Sequence, residues 1–258
     1  MAVINKSVLA PKIVRILLKY GGNPNIADNY TNTAVMTAIT SESNSSPEIL
    51  DLFLNAVGDA KVDPNATDET GSNLLHYAIL DEFKPTPEKV KVLLKHNANP
   101  NRANNSQHTP VHFASFIQSS SAPEIMNLLL SAKGDFNFVD KNGFTPLHFA
   151  VLNKSASAPK IVEVLLNFRA SANIANKRKN TPVHFAASSE SSSAPEIMNL
   201  LLEAKGNPNT LDGNGLTPLD LTDFNESVSA PKIAEVLLKF GGKRSVAANS
   251  TLIDHDLD

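Results

Sequence analysis

Four histidines, His76, His112, His148 and His184, recur every 36 residues. A ladder of that kind could ligate metals or relay protons. Elements stacked at that period stand roughly 10 Å apart, too far for two of them to share an ion held at ~2 Å. The spacing therefore favours one hydrogen-bonded histidine at the same structural position of each unit. His108 and His112 have the i, i+4 spacing of a zinc pair, but Pro110 lies between them and marks a helix start rather than a helix interior. Hydroxyls are abundant at residues 119–121 and 188–193. A serine nucleophile needs a neighbouring base and a group to orient that base, and none recurs with them. The scattered carboxylates carry no acid–base signature. With no cysteine in the chain, disulfides, thiolate nucleophiles and cysteine-ligated metals are excluded. No catalytic residue, metal ligand or cofactor site is expected, and the chain reads as non-enzymatic. The compact basic run Lys177-Arg178-Lys179 is either a solvated loop or a contact for an acidic partner or phosphate.

Two landmarks alternate along the chain and must position whatever works here. The hexapeptide Thr-Pro-(Leu/Val)-His-Phe-Ala begins at Thr109, Thr145 and Thr181, with a degenerate copy at Thr217. The second landmark is an Ala-Pro-(Lys/Glu)-Ile type segment followed by a leucine pair, with prolines at Pro11, Pro47, Pro87, Pro123, Pro159, Pro195 and Pro231. All intervals are 36 residues except Pro47 to Pro87, which is 40. A fixed period of this length is the mark of a solenoid. Each landmark opens a helix. Threonine caps, and proline takes the first turn, where a backbone donor would have no partner. Ser121 and Ser193, three residues before Glu124 and Glu196, read as capping boxes. In the second helix Ile161, Val164 and Leu165 fall at i, i+3 and i+4, a stripe that one unit alone cannot cover. Asp140-Lys141-Asn142-Gly143 supplies a tight reversal between units.

The chain has 258 residues, 41% of them hydrophobic, and a formal charge of −3. Its sequence pI is about 6.2. Nothing in that balance pulls it broadly towards nucleic acid or acidic membranes. No segment approaches the roughly 20 apolar residues of a membrane span, and residues 1–10 do not form a secretory signal. A cytoplasmic or nuclear protein without membrane association is expected.

The segment 140–150, Asp-Lys-Asn-Gly-Phe-Thr-Pro-Leu-His-Phe-Ala, resembles the Asp-x-x-Gly-x-Thr-Pro-Leu-His-x-Ala opening of the ankyrin repeat. Lys160-Ile161-Val162-Glu163-Val164-Leu165-Leu166 is similar to that family's second helix. The resemblance spans roughly residues 10–244. It implies an all-α ankyrin-repeat solenoid of stacked helix-loop-helix units with protruding β-hairpin-like turns. One domain is expected over 1–244, in units near 1–32, 33–72, 73–108, 109–144, 145–180, 181–216 and 217–244. The polar tail 245–258 is expected to be disordered. The units exceed the family's usual length of about 33 residues, and the excess falls between the two helices, at residues 153–158. Alternate units match more closely than neighbours, which points to an ancestral pair of 72 residues. The first unit is incomplete, so residues 1–9 should cap the stack irregularly. In the last unit Asp220 takes the motif histidine's place.

By the same resemblance, partners bind the turn tips and the exposed face of the short first helix. The corresponding tip residues are Asn105 and His108; Lys141, Asn142 and Phe144; and Lys177, Arg178 and Asn180. On the first helices they are Phe116 and Ile117, Leu152 and Asn153, and Ser188 and Ser189. Phe116, Ile117, Phe144 and Leu152 would make an apolar contact patch, and serine at Phe116 and Phe144 should weaken capture without changing melting. The expected function is a monomeric protein-interaction module or scaffold holding another protein in its concave groove. A targeting or substrate-recruitment arm of a larger protein, or a host-directed effector, is the alternative reading. Nucleic-acid association through residues 177–179 ranks below both.

Overall fold

The computed structural model describes residues 9–28, 33–40, 46–80 and 85–246. The irregular cap expected at residues 1–9, apart from Leu9, and the tail beyond Val246 lie outside them. The described chain is helical, with no strand among these residues. Two compact units divide it, Met1–Asp135 and Phe136–Asp258.

In the first unit, the long second helices are α1 (Ala10–Lys19), α3 (Ser46–Leu54), α5 (Pro87–Lys95) and α7 (Ala122–Ser131). They pack in sequence, α1 on α3, α3 on α5 and α5 on α7. The helices that begin with the other landmark are α2 (Ala34–Thr40), α4 (Leu74–Leu80) and α6 (Pro110–Phe116). They form a second layer, α2 on α4 on α6, and each packs on the long helix that follows it. The second unit repeats the plan with α8 (Pro146–Leu152), α9 (Ala158–Asn167), α10 (Pro182–Ala187), α11 (Ala194–Glu203), α12 (Pro218–Leu221) and α13 (Ala230–Lys239). Here α8 packs on α9 and α10, and α11 packs on α9 and α13.

The apolar stripe of α9 is covered as its spacing requires: Ile161, Val162 and Leu165 are fully buried. At the outer edge of the first unit the equivalent stripe of α1 is open, with Ile16 at 56% and Leu17 at 52% exposure.

The helix starts follow one local rule at the first landmark and another at the second. Thr145 donates its backbone N–H to His148 Nδ1 at 3.0 Å, and its hydroxyl accepts the His148 N–H at 3.4 Å. Thr109 with His112 and Thr181 with His184 form the same box, each at 3.1 Å from backbone N–H to ring. The serine boxes expected at the second landmark do not form. Ser121 and Ser193 are themselves in the right-handed helical region, and neither side chain caps. The amides of Ala122 and Ala194 instead donate to the carbonyls of Ser119 and Ser191, at 3.1 and 3.0 Å. Glu124 is free to turn outward and pairs with Lys91 at 2.9 Å. A preceding turn of backbone has replaced the side-chain cap.

Neighbouring repeats are riveted by asparagines. Asn173 donates its side-chain amide to the Lys205 carbonyl at 2.9 Å and accepts the Asn207 N–H at 2.7 Å. Asn209 does the same with Gly241 and Lys243, at 3.0 and 2.7 Å. In the first unit Asn65 ties to Asn97 and Asn99, and Asn101 to Lys133 and Asp135. Each acceptor carbonyl belongs to a residue just past a helix end with positive φ, among them Asn97, Lys133 and Lys205, so the clamp satisfies a helix terminus that would otherwise face water.

Candidate functional site

Each tip is a tight turn closed by its own asparagine or aspartate. Asp140 Oδ1 accepts the N–H groups of Asn142 and Phe144, both at 2.8 Å. Asn176 Oδ1 accepts those of Arg178 and Asn180, at 2.9 and 3.0 Å. Successive tips are joined through the backbone. In the second unit Lys177 N–H donates to the Asn142 carbonyl at 3.0 Å, and Gly213 N–H to the Arg178 carbonyl at 2.9 Å. In the first unit Asn105 N–H donates to the Thr70 carbonyl at 2.8 Å. The approach is close enough to demand glycine at Gly143, where φ is +83° and a Cβ would stand 3.0 Å from the backbone of Asn176 and Lys177.

The histidines of the first landmark belong to this support. His148 is fully buried. Its Nδ1 accepts the Thr145 N–H, and its Nε2 donates across the repeat to the Asn180 carbonyl at 3.1 Å. Burial pushes its pKa down to about 4, against a smaller opposing effect of the Asn180 carbonyl, so it is neutral at physiological pH. His76 donates in the same way to the His108 carbonyl at 3.1 Å and is likewise lowered by burial. Both ring nitrogens are committed, which leaves no lone pair for a metal. Among the described residues no three His, Asp or Glu side chains converge on a common point.

The expected contact residues divide by environment. In the first unit Asn105 is exposed, although its side-chain amide donates to the Glu69 carbonyl at 2.8 Å. His108 is half-buried, its ring 5.6 Å from His112 and 6.0 Å from Phe113. Phe116 is half-buried with its ring 5.2 Å from Phe113. Ile117, placed on the exposed face by its register, is buried at 9%. The cause is that α6 ends at Phe116 and Ile117 adopts an extended backbone, which turns its side chain inwards.

In the second unit Lys141, Asn142, Lys177 and Arg178 are exposed and Asn180 is half-exposed. Leu152 is 45% exposed, but Asn153 is only 5% exposed. It too follows a helix end in an extended conformation. The residue one ancestral pair later, Asn225, shows what that position does: its amide donates to the carbonyls of Ala187 and Ser189, at 2.9 and 3.1 Å. Ser188 is exposed and returns its hydroxyl to the His184 carbonyl at 3.2 Å, while Ser189 Oγ accepts the Ser191 N–H at 3.3 Å. Phe144 is half-buried in an aromatic group, 5.4 Å from Phe185 and 5.6 Å from Phe149. Serine there would remove packing, so a loss of stability accompanies that substitution, contrary to the neutral melting expected from sequence.

These tips border a cavity of about 410 Å³ walled by Phe144 and Phe185, by the amides of Asn142, Asn176 and Asn180, and by Lys177 and Arg178. Phe185 and Asn176 were not singled out from sequence. The signal was present for Phe185, since the motif's phenylalanine recurs at Phe113 and Phe149 and sits beside the turn. A second cavity, about 240 Å³, lies in the first unit between Met36, Val62, Leu74 and Tyr77, with Asp63 and Asp68 on its rim. Tyr77 donates its hydroxyl to the Asp68 carboxylate. Burial and that bond together push the tyrosine up to about 12.

Residues 41–120 and 116–212 match a family model described as ankyrin repeats in three copies. Among solved structures, the ankyrin repeat domain of Bcl-3, a member of the IkappaB protein family, is 22% identical with a TM-score of 0.71, over 92% of this chain and 96% of that one. An ankyrin repeat domain from Acinetobacter baumannii is 24% identical with a TM-score of 0.68, over 84% of this chain and 100% of that one. These likenesses establish the all-α stacked fold. No curated protein matches the chain.

Proposed function

The chain belongs to the ankyrin repeat family, and from that premise we propose that it is a non-catalytic module that grips a segment of another protein along its turn tips and first helices. Ankyrin repeats serve in general as protein-binding modules. The finer reading rests on one observation: in the second unit Lys141, Asn142, Lys177 and Arg178 are exposed on tips locked together backbone to backbone, beside the half-buried rings of Phe144 and Phe185. Such a row is preorganised. Little ordering entropy remains to be lost when a polypeptide lies across it. His76 and His148, whose ring nitrogens are both in use, and Ser188 and Ser189, whose oxygens are spent on their own backbone, support a scaffold rather than an enzyme.

A photo-crosslinking amino acid at Asn142 or Asn180, in the full chain, should join it to a protein from its native cell. The same group at Lys160 or Glu203, exposed on the second helices, should not. Crosslinks from the second helices alone would overturn the reading.

No helix among the described residues is long and apolar enough to cross a membrane.

A further inference from the structure

We propose that the cavity at the tips of the second unit recognises an acidic stretch of a polypeptide, seating one apolar side chain on Phe144 and Phe185 while flanking carboxylates pair with Lys177 and Arg178. The inference rests on the binding reading above and adds the chemistry of the ligand.

The cavity has the elements that such a ligand needs. Its floor is aromatic: the Phe144 and Phe185 rings stand 5.4 Å apart at an interplanar angle of 43°, and both are partly exposed. Its wall carries the side-chain amides of Asn142 and Asn180, which can donate to and accept from a peptide backbone. At about 410 Å³ it lies in the lower part of the range for ligand sites, roughly 300–1,000 Å³.

Charge decides the class of ligand. Lys141, Lys177, Arg178 and Lys179 are all exposed at these tips. Asp140 and Asp212 are 7% and 6% exposed, and each spends an oxygen on two amides of its own turn, at 2.8 to 2.9 Å. Among the described residues no ion pair involves Lys177, Arg178 or Lys179, whereas Lys91, Lys95, Lys154, Lys160 and Arg244 all have acidic partners. Positive charge left unanswered beside an aromatic floor favours an anionic, partly apolar ligand. The backbone bonds from Lys177 to Asn142 and from Gly213 to Arg178 fix the backbone that carries these side chains. A nucleic acid fits less well, because its affinity depends on neutralising many phosphates along a track, and this chain carries a net charge of −3 with a single basic tip cluster.

A positional-scanning peptide library, screened against the full chain, tests the assignment. Glutamate or aspartate should be enriched on either side of a leucine or aromatic residue. A peptide synthesised from that profile should lose at least about tenfold in affinity against K177E/R178E, and weaken as salt rises. Both side chains are exposed and only their backbones make structural bonds, so the double variant should melt like the parent. Selection of neutral or basic peptides, an unchanged affinity in the double variant, or tighter binding of a single-stranded oligonucleotide would each overturn the proposal. The outcomes also separate it from the reading on which it rests. Crosslinks at Asn142 and Asn180 with no acidic preference in the library would leave the grooved module standing and remove only the ligand class.

Discussion

His148 shows how a residue that looks chemical can be structural. Its imidazole joins a helix start to the next tip through one accepted and one donated hydrogen bond. Where no further repeat offers that carbonyl within the described chain, the last unit uses Asp220 instead. Its Oδ2 accepts the N–H groups of Thr217 and Ser245, at 2.9 and 3.0 Å. Burial alone would raise the Asp220 carboxyl, but these hydrogen bonds outweigh it and hold the carboxyl below its ordinary value. At this position an acceptor of the Ser245 N–H thus replaces the donor that reaches the carbonyl of the next tip. The positive-φ residues after the helices are a second lesson at this scale. Lys205 sits at φ 65°, a conformation that glycine adopts without the steric cost of a side chain. Lys205→Gly should stabilise the protein by about 0.5–1 kcal/mol in urea unfolding, because the carbonyl that accepts from Asn173 is retained.

Between elements, the asparagine clamps hold each helix pair to the next, and their removal should be costly. Asn173→Ala deletes two hydrogen bonds at once, and a loss of about 1–2 kcal/mol is expected from the shift of the urea midpoint. The period, the helix starts at Pro110, Pro146 and Pro182, and the amphipathic second helices were legible in sequence because each is set by neighbours within a few residues. The clamps were not, since their partners lie 32 and 34 residues away and asparagine in a loop has many local uses. Ser121 and Ser193 had the spacing of caps, yet their own N–H groups, to which the glutamates would have reached back, donate to Ser119 Oγ and Ser191 Oγ, at 3.2 and 3.3 Å. For the candidate site, the tips could be placed by motif alone. The first-helix positions slipped at Ile117 and Asn153, where the helix stops one residue early and the next side chain turns inwards.

For the molecule as a whole, the buried histidines make stability depend on pH. Burial lowers His76, His148 and His184 in the folded state. The unfolded chain binds protons near pH 6.5, so it holds more of them than the folded chain at mildly acidic pH, and the native state loses stability as pH falls. For His148 alone, with a folded value of about 4, the loss reaches about 3 kcal/mol by pH 4. Melting temperature should therefore be flat above about pH 7 and fall steadily below 6.5. His148→Gln should flatten that slope while lowering stability at neutral pH.

The central claim, that the linked tips and first helices form the gripping edge, is tested most directly by hydrogen–deuterium exchange of the full chain with and without the protein that crosslinks at Asn142. The account predicts added protection at residues 141–144 and 177–180 and along α8 and α10, with α9 and α11 unchanged. Protection confined to α9 and α11 would contradict it.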